Sequence, residues 1–512
     1  MKTLLLVLAV LGAAPRANAQ ASEDALFGGG SVDAGSGSAI DAGSGEAALF
    51  GGGPTAAPAP SSPGTQAPVE TENDARQSES EILGGQTARA GTGTGEVIPD
   101  DPLKIGGTLY LRTQMSAYDS TPPRDWGFSA PNLLDVYLDG RPNSRVRAFL
   151  VGRLNYDPTI DPGAVPPGAP PRSQANAVLD QLWLNFDILR TVFITAGKQH
   201  VKWGTGRFWN PTDFLQPVRL NALAVFDERT GVTMVKAHVP WEARGWNFYA
   251  FALLEGKSAV NVVQNLGGAA RAEIVLGPAE LGLSTAIQQG RKPRFGADLS
   301  SGVGPFDLYV EAAFKGQDGP RLQLRPIPDF EGYQPGSMVD LSRNSPFTEL
   351  VDHPGVLPQV TAGGNWSTNL SDKDALTVGV EGFYNSLGYD DAKNYLPLLL
   401  TGQFTPFYLG KYYGAVYGLV QLPRGQVVNS FVLSTLSNLS DQSYITRLDY
   451  SVTVLTHLRV ELYGDVHYGN QGGEFRFSVN PERLPPSLRG FVPEQLKLTP
   501  LFDVGVALRV SI

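Results

Sequence analysis

The sequence predicts an all-β fold, a transmembrane antiparallel β-barrel of about 16–18 strands behind a disordered N-terminal tail. Three observations carry that expectation. The first is period-two alternation, clearest in residues 501–512: Phe502, Val504, Val506, Leu508, Val510 and Ile512 fall on one face, and Asp503, Gly505, Ala507, Arg509 and Ser511 on the other. Successive strand residues point to opposite faces, so this run has one apolar side and one polar or small side. The second is rhythm, with short connections alternating with long ones. The third is composition: charged residues are 18% of the chain and aromatics 10%, with 59 Gly among 512 residues. That suits many strands and tight turns better than helices.

Met1 to Ala19 reads as a secretory leader. Lys2 supplies the positive start, Leu4 to Ala14 the apolar core, and Ala17-Asn18-Ala19 the small-residue cleavage site. The apolar core is too short to span a bilayer as a helix, and no later run is long enough either. Cysteine is absent, which removes disulfides and thiolate metal sites. A net charge of −10 argues against a nucleic-acid partner.

Residues 20–103 are rich in Gly, Ala, Ser, Pro and acids. They cannot bury enough apolar surface to offset chain entropy, so a disordered periplasmic tail is expected. Ala25-Leu26-Phe27-Gly28-Gly29-Gly30 recurs as Ala48-Leu49-Phe50-Gly51-Gly52-Gly53. One reading is a flexible linker with duplicated low-complexity sequence. The other is a docking motif, with Leu26, Phe27, Leu49 and Phe50 as anchors for a periplasmic protein.

Residues 104–512 carry the barrel pattern. Leu109, Leu111, Thr113 and Met115 oppose Thr108, Tyr110, Arg112 and Gln114; Leu134, Val136 and Leu138 oppose Asp135, Tyr137 and Asp139. After a turn at Gly140–Asn143, Val146, Ala148, Leu150 and Leu154 oppose Arg145, Arg147, Phe149, Val151 and Arg153. Short connections then fall near 241–245, 277–279, 302–305, 371–374, 423–425 and 455–457, and long ones at 316–354, 387–410 and 469–498. This is the layout of outer-membrane channels, with short turns on the periplasmic side and long loops outside. Trp241, Trp246, Tyr412, Tyr413, Tyr444 and Tyr463 are candidates for an aromatic girdle, or simply residues of good strand propensity. The run closes on Ile512 and not on the aromatic with which such barrels usually end, which bears on the insertion signal and leaves the alternation intact.

One stretch has a more specific character: Gly197, Gln199, Trp203, Gly204, Asn210, Pro211 and Asp213 lie within seventeen positions, 197–213. It resembles a segment of porin-like β-barrels of Gram-negative bacteria, where a strand ending Gly-(Lys/Arg)-Gln is followed by Trp-Gly and then Asn-Pro-x-Asp. Read physically, Asn210-Pro211 sets an Asx turn that starts a short helix. Gly204 and Gly206 permit sharp reversal of the backbone. If the first strand runs outward, the connection to Gly231 is the third loop on the outer side. The resemblance to general porins implies that it folds into the lumen, so 198–229 is the expected constriction segment. Lys202, Arg207, Arg219 and Arg229 would face Asp213, Asp227 and Glu228 across the pore. The alternative is a loop capping the barrel wall with its charges paired locally.

Arg145, Arg147 and Arg153 share one face of the third strand, and Arg112 joins them from the first. They either line the lumen with positive charge, giving a mild anion preference, or pair with Asp135 and Asp139, which cancels their field. Five histidines occur, and none makes a His-Glu-x-x-His motif; nor is there a Gly-x-Ser-x-Gly elbow or a phosphate-binding loop. Asp157 and Asp161 do not fit a calcium loop. An enzyme, a cofactor and a metal site are therefore not expected. The expected function is an outer-membrane channel for diffusion of small hydrophilic solutes, in contact with outer-membrane lipid, monomeric or trimeric. The competing reading is a scaffold or exit duct of a periplasm-spanning export complex recruited through the tail.

Overall fold

The computed structural model describes residues 102–119, 121–162, 173–219, 221–224, 229–255, 266–326, 348–371, 373–401, 403–424, 427–455, 457–478 and 499–511. The leader, the tail with its Leu-Phe repeats, Asp227 and Glu228 lie outside them.

Eighteen strands form one closed antiparallel ring: β1 (Leu103–Ala117), β2 (Asn132–Asn143), β3 (Val146–Tyr156), β4 (Ala175–Ile188), β5 (Val192–Gln199), β6 (Val232–Trp241), β7 (Trp246–Leu253), β8 (Gly267–Leu276), β9 (Ala279–Gln288), β10 (Arg294–Val303), β11 (Phe306–Lys315), β12 (Leu357–Asn369), β13 (Ala375–Asn385), β14 (Tyr412–Arg424), β15 (Val427–Asn438), β16 (Ser443–Leu455), β17 (Leu458–Gly469) and β18 (Phe502–Ser511). Each pairs with its neighbours in sequence. The ring closes where β18 meets β1 in a ladder from Thr108 opposite Ser511 to Ala117 opposite Phe502. Closure removes every edge, the condition for a sheet to cross lipid without stranded N–H and C=O groups. A short hairpin, Arg321–Leu324 with Thr348–Val351, stands apart from the ring.

The alternation sorts side chains inside out relative to a soluble protein. Leu111, Val136, Leu184, Val310, Val380, Leu433, Leu448 and Val466 are exposed on the outer surface. Their inward neighbours Gln114, Asp135, Glu311, Glu381, Arg447 and Asp465 are buried. Apolar surface facing water loses about 25 cal/mol per Å² relative to burial. A continuous outer band of Leu and Val is therefore a lipid face.

Short turns and long loops occupy opposite ends, with two exceptions: β9–β10 and β15–β16 are joined at the loop end by short connections, 289–293 and 439–442. The turn expected at Gly140–Asn143 instead lies one step later. β2 continues to Asn143 through a register shift after Gly140, and Ser144-Arg145 makes the reversal. The girdle expectation divides. Trp241 and Trp246 meet edge-on at 5.4 Å beside their turn, and Tyr412 is half exposed. Tyr413 and Tyr463, however, are buried on the inward face. Parity decides this, since adjacent strand residues cannot both face lipid.

The apolar core sits inside the barrel. Phe208 and Trp209 from the 200–231 connection pack with Tyr395, Leu396 and Leu398 of the helical turn Tyr395–Leu400, with Phe407, and with Phe475 and Phe477 of the last loop. Phe383, Tyr413 and Tyr417 supply the wall beneath them.

Candidate functional site

The 200–231 connection is built onto the inner wall from its first residue. Gly197, just before the end of β5, has φ +130°, and a Cβ there would lie 2.2 Å from the Leu182 carbonyl oxygen. Only glycine lets the chain hug β4 at that point. The buried Gln199 amide donates to the carbonyls of Thr195 (3.2 Å) and Met234 (3.3 Å), tying the strand end to itself and to β6. Trp203 then packs edge-on to Phe251 and Phe214, with ring centroids 5.4 and 6.2 Å apart.

Two carboxylates from the opposite wall hold the segment from Thr205 to Thr212. Glu311 on β11 accepts from the backbone N–H of Thr205 (3.0 Å), Gly206 (3.2 Å) and Thr212 (2.6 Å), and from the Thr212 hydroxyl (2.7 Å). Glu381 on β13 accepts from the N–H of Arg207 (2.7 Å), Phe208 (3.0 Å) and Trp209 (2.9 Å), and from the Tyr309 hydroxyl (2.5 Å). Runs of backbone N–H turned onto one anion form a nest, and hydrogen bonds to a charged acceptor are about twice as strong as neutral ones. Gly204, at φ +96°, makes the approach possible: a Cβ there would lie 2.4 Å from the Glu311 carboxylate.

The helix expected after Asn210-Pro211 does not form. The Thr212 N–H goes to Glu311, that of Asp213 turns back to the Asn210 carbonyl, and that of Phe214 reaches Thr212. With its N–H groups committed to the wall and to tight turns, the segment has none left for a helical ladder. Residues 208–216 are buried without a break. Trp209 is their anchor, stacked on Phe383 at 5.7 Å with its indole N–H on the Phe407 carbonyl at 2.9 Å. Of the motif positions, Gly197, Gln199, Trp203 and Gly204 thus help to seat this loop against the wall, whereas Asp213 pairs within the loop.

The charged residues of the loop divide between two places. The Arg207 guanidinium lies over the Tyr417 ring at 3.5 Å; burial pulls its pKa down to about 10, which leaves it cationic at neutral pH. Asp213 and Arg229 form a buried pair at 2.9 Å. Arg219 lies over Tyr408 at 5.1 Å. Burial lowers its pKa, and neighbouring Arg294 and Arg229 act in the same direction. Arg294 is itself held by Asp318 at 2.5 Å. Lys202 is exposed. Asp213, Arg219 and Arg229 are therefore brought together, whereas Arg207 belongs to the Glu381 side.

On the other side of the barrel Arg153 makes a bidentate pair with Asp135, both contacts 2.7 Å, and Arg147 pairs with Asp139 at 2.8 Å. Arg145 lies at the short-turn end, on Asp187 at 2.8 Å. The backbone N–H of Arg112 bonds Asn132. The functional residues that sequence reasoning missed are Glu311 and Glu381. Their cross-strand neighbours are Asp298 and Thr361 for the first, and Gly363 and Ala415 for the second, with no basic residue among them. An inward carboxylate without a basic neighbour was the available signal.

No protein-family model matches the chain, and no curated protein matches it. Among solved structures it is similar to OccAB1 of Acinetobacter baumannii, at 8% identity and a TM-score of 0.46 over 80% of this chain and 96% of that one. It is also similar to the outer membrane protein opdK of Pseudomonas aeruginosa, at 8% identity and a TM-score of 0.43 over 80% and 98%. A third is Wzi of Escherichia coli, a carbohydrate-binding β-barrel involved in group 1 capsule assembly, at 11% identity and a TM-score of 0.43 over 80% and 84%.

Proposed function

We propose that the protein is an outer-membrane channel through which small hydrophilic solutes diffuse, with residues 198–229 as its constriction. The observation that carries this is the third loop held on the inner wall by Glu311 and Glu381 within a closed barrel whose outer face is apolar. A loop so placed narrows an aqueous passage without sealing it by strand, and its charges set which solutes pass. The paired arginines of β3 contribute little net field, and so does the Asp213–Arg229 pair, so selectivity rests on Lys202, Arg207 and Arg219. Residues 20–103 extend into the periplasm behind a cleaved leader.

The duplicated Leu-Phe segments favour a second, compatible role, with Leu26, Phe27, Leu49 and Phe50 docking a periplasmic protein. Planar-bilayer recording with purified protein tests the first reading: stepwise conductance is expected, and a silent bilayer with correctly folded barrel refutes it. Loss of a co-purifying protein on deletion of residues 21–53, with the barrel intact, tests the second.

A further inference from the structure

We propose that Asp465, His467 and Asp503 form a buried site for a divalent transition-metal ion, with Zn²⁺ the best fit. Asp465 and His467 are alternate residues of β17, so both point inward. Asp503 on β18 is the direct cross-strand partner of Asp465. Their exposures are 2%, 0% and 0%, and one ligand atom from each lies within 4.8 Å of the others.

Three details go beyond proximity. His467 Nδ1 lies 2.8 Å from the Phe475 carbonyl oxygen. A carbonyl only accepts, so the proton sits on Nδ1 and Nε2 presents its lone pair, the second-shell arrangement that orients histidines at metals. Nε2 lies 3.8 Å from Asp503 Oδ2. A tetrahedral ion with bonds of about 2.0–2.2 Å separates its ligand atoms by roughly 3.3 Å, so His467 and Asp503 close by a small rotation, and Asp465 moves in from within 4.8 Å. Arg447 holds Oδ2 of Asp465 at 3.3 Å, while the buried Oδ1 has no hydrogen-bond partner. The donor set is one imidazole nitrogen and two carboxylates, with a fourth position for water. Nitrogen in the set and only three protein ligands favour Zn²⁺ over Ca²⁺ or Mg²⁺. The ion would join the two strands that precede barrel closure to the turn Glu474–Arg476, which carries the carbonyl of Phe475. The inference is independent of the channel reading. Its competitor is an imidazolium held between two carboxylates with no metal.

The test uses the full chain in detergent, incubated with Zn²⁺ during refolding, freed of excess and assayed by elemental analysis. About one Zn²⁺ per chain is expected in the parent protein, and less than about a tenth in Asp503→Asn and His467→Gln. Parent protein without retained metal, or folded variants that retain it equally, overturns the proposal. Because both substitutions are buried and either can impair folding, Co²⁺ bound to the parent protein provides a second readout. The visible d–d absorption of a four- or five-coordinate ion supports the site, and its absence overturns it.

Discussion

Two regions of the barrel bury inward-facing carboxylates by different means. On β2–β4, Asp135 and Asp139 are held by the guanidinium groups of Arg153 and Arg147. On β11 and β13, Glu311 and Glu381 are held by backbone N–H groups of a distant loop. Both satisfy the rule that a buried charge must be compensated. They differ in what they fix. Arginine pairing is closed within the wall and holds neighbouring strands in register. The amide nest leaves the wall and determines what occupies the lumen.

The double substitution Glu311→Ala/Glu381→Ala removes the nest and leaves the arginine pairs intact. It orphans six loop N–H groups, each costing about 1–3 kcal/mol if left buried, so the loop leaves the wall. Trypsin cleavage at Lys202, Arg207 and Arg219 is expected to accelerate by at least about tenfold while the barrel keeps its folded migration on gels. Arg153→Met is the matching test on the other side. It is expected to cost about 3–5 kcal/mol in urea titrations by taking the guanidinium away from buried Asp135 and Asp180, with loop cleavage unchanged, and Asp135→Leu/Arg153→Met should recover part of that loss.

A third carboxylate sharpens the contrast through pH. Glu474, in the last loop, accepts from the Tyr413 hydroxyl (2.5 Å), the Asn438 amide (2.6 Å) and the Phe407 N–H, beside Asp441 and Tyr395. Burial, reinforced by Asp441, pushes its pKa from the usual 4.5 up to about 8. A raised folded-state pKa means the proton binds the folded form more tightly. Stabilisation is therefore complete below about pH 4.5 and is lost as pH rises through about 8, with a span on the order of a few kcal/mol. Thermal unfolding followed from about pH 5 to about pH 8.5 should show this decline, and Glu474→Gln should flatten it. Gly204→Ala comes next, at about 1–3 kcal/mol from forcing a side chain to φ +96° against Glu311, read as faster loop cleavage alone. The smallest effect belongs to Arg145→Ala, whose exposed pair with Asp187 should leave stability unchanged within error.

The contrast also marks what the sequence could disclose. Period two and the rhythm of turns located the strands because both are local. The Arg153–Asp135 pair was within reach for the same reason, since a hairpin register places those residues directly opposite. Glu311 and Glu381 lie 99 to 174 positions from the N–H groups they bind, a separation that no local pattern spans. The missing helix after Pro211 has the same origin, because a distant wall outcompetes the local capping signal. For Tyr413 and Tyr463 residue type leaves girdle and plain strand propensity both open, and strand parity decides against the girdle. The Asp465–His467–Asp503 cluster was invisible as a motif because its third member arrives from the next strand across a long loop.

In the proposed channel, Glu311 and Glu381 hold the constricting loop inside the barrel. Single-channel recording of the parent protein beside Glu311→Ala/Glu381→Ala in planar bilayers tests it most directly. The expected result is discrete conductance in both, larger and noisier in the variant as the loop leaves the wall. Equal conductance in the two proteins, or none in either, would contradict it.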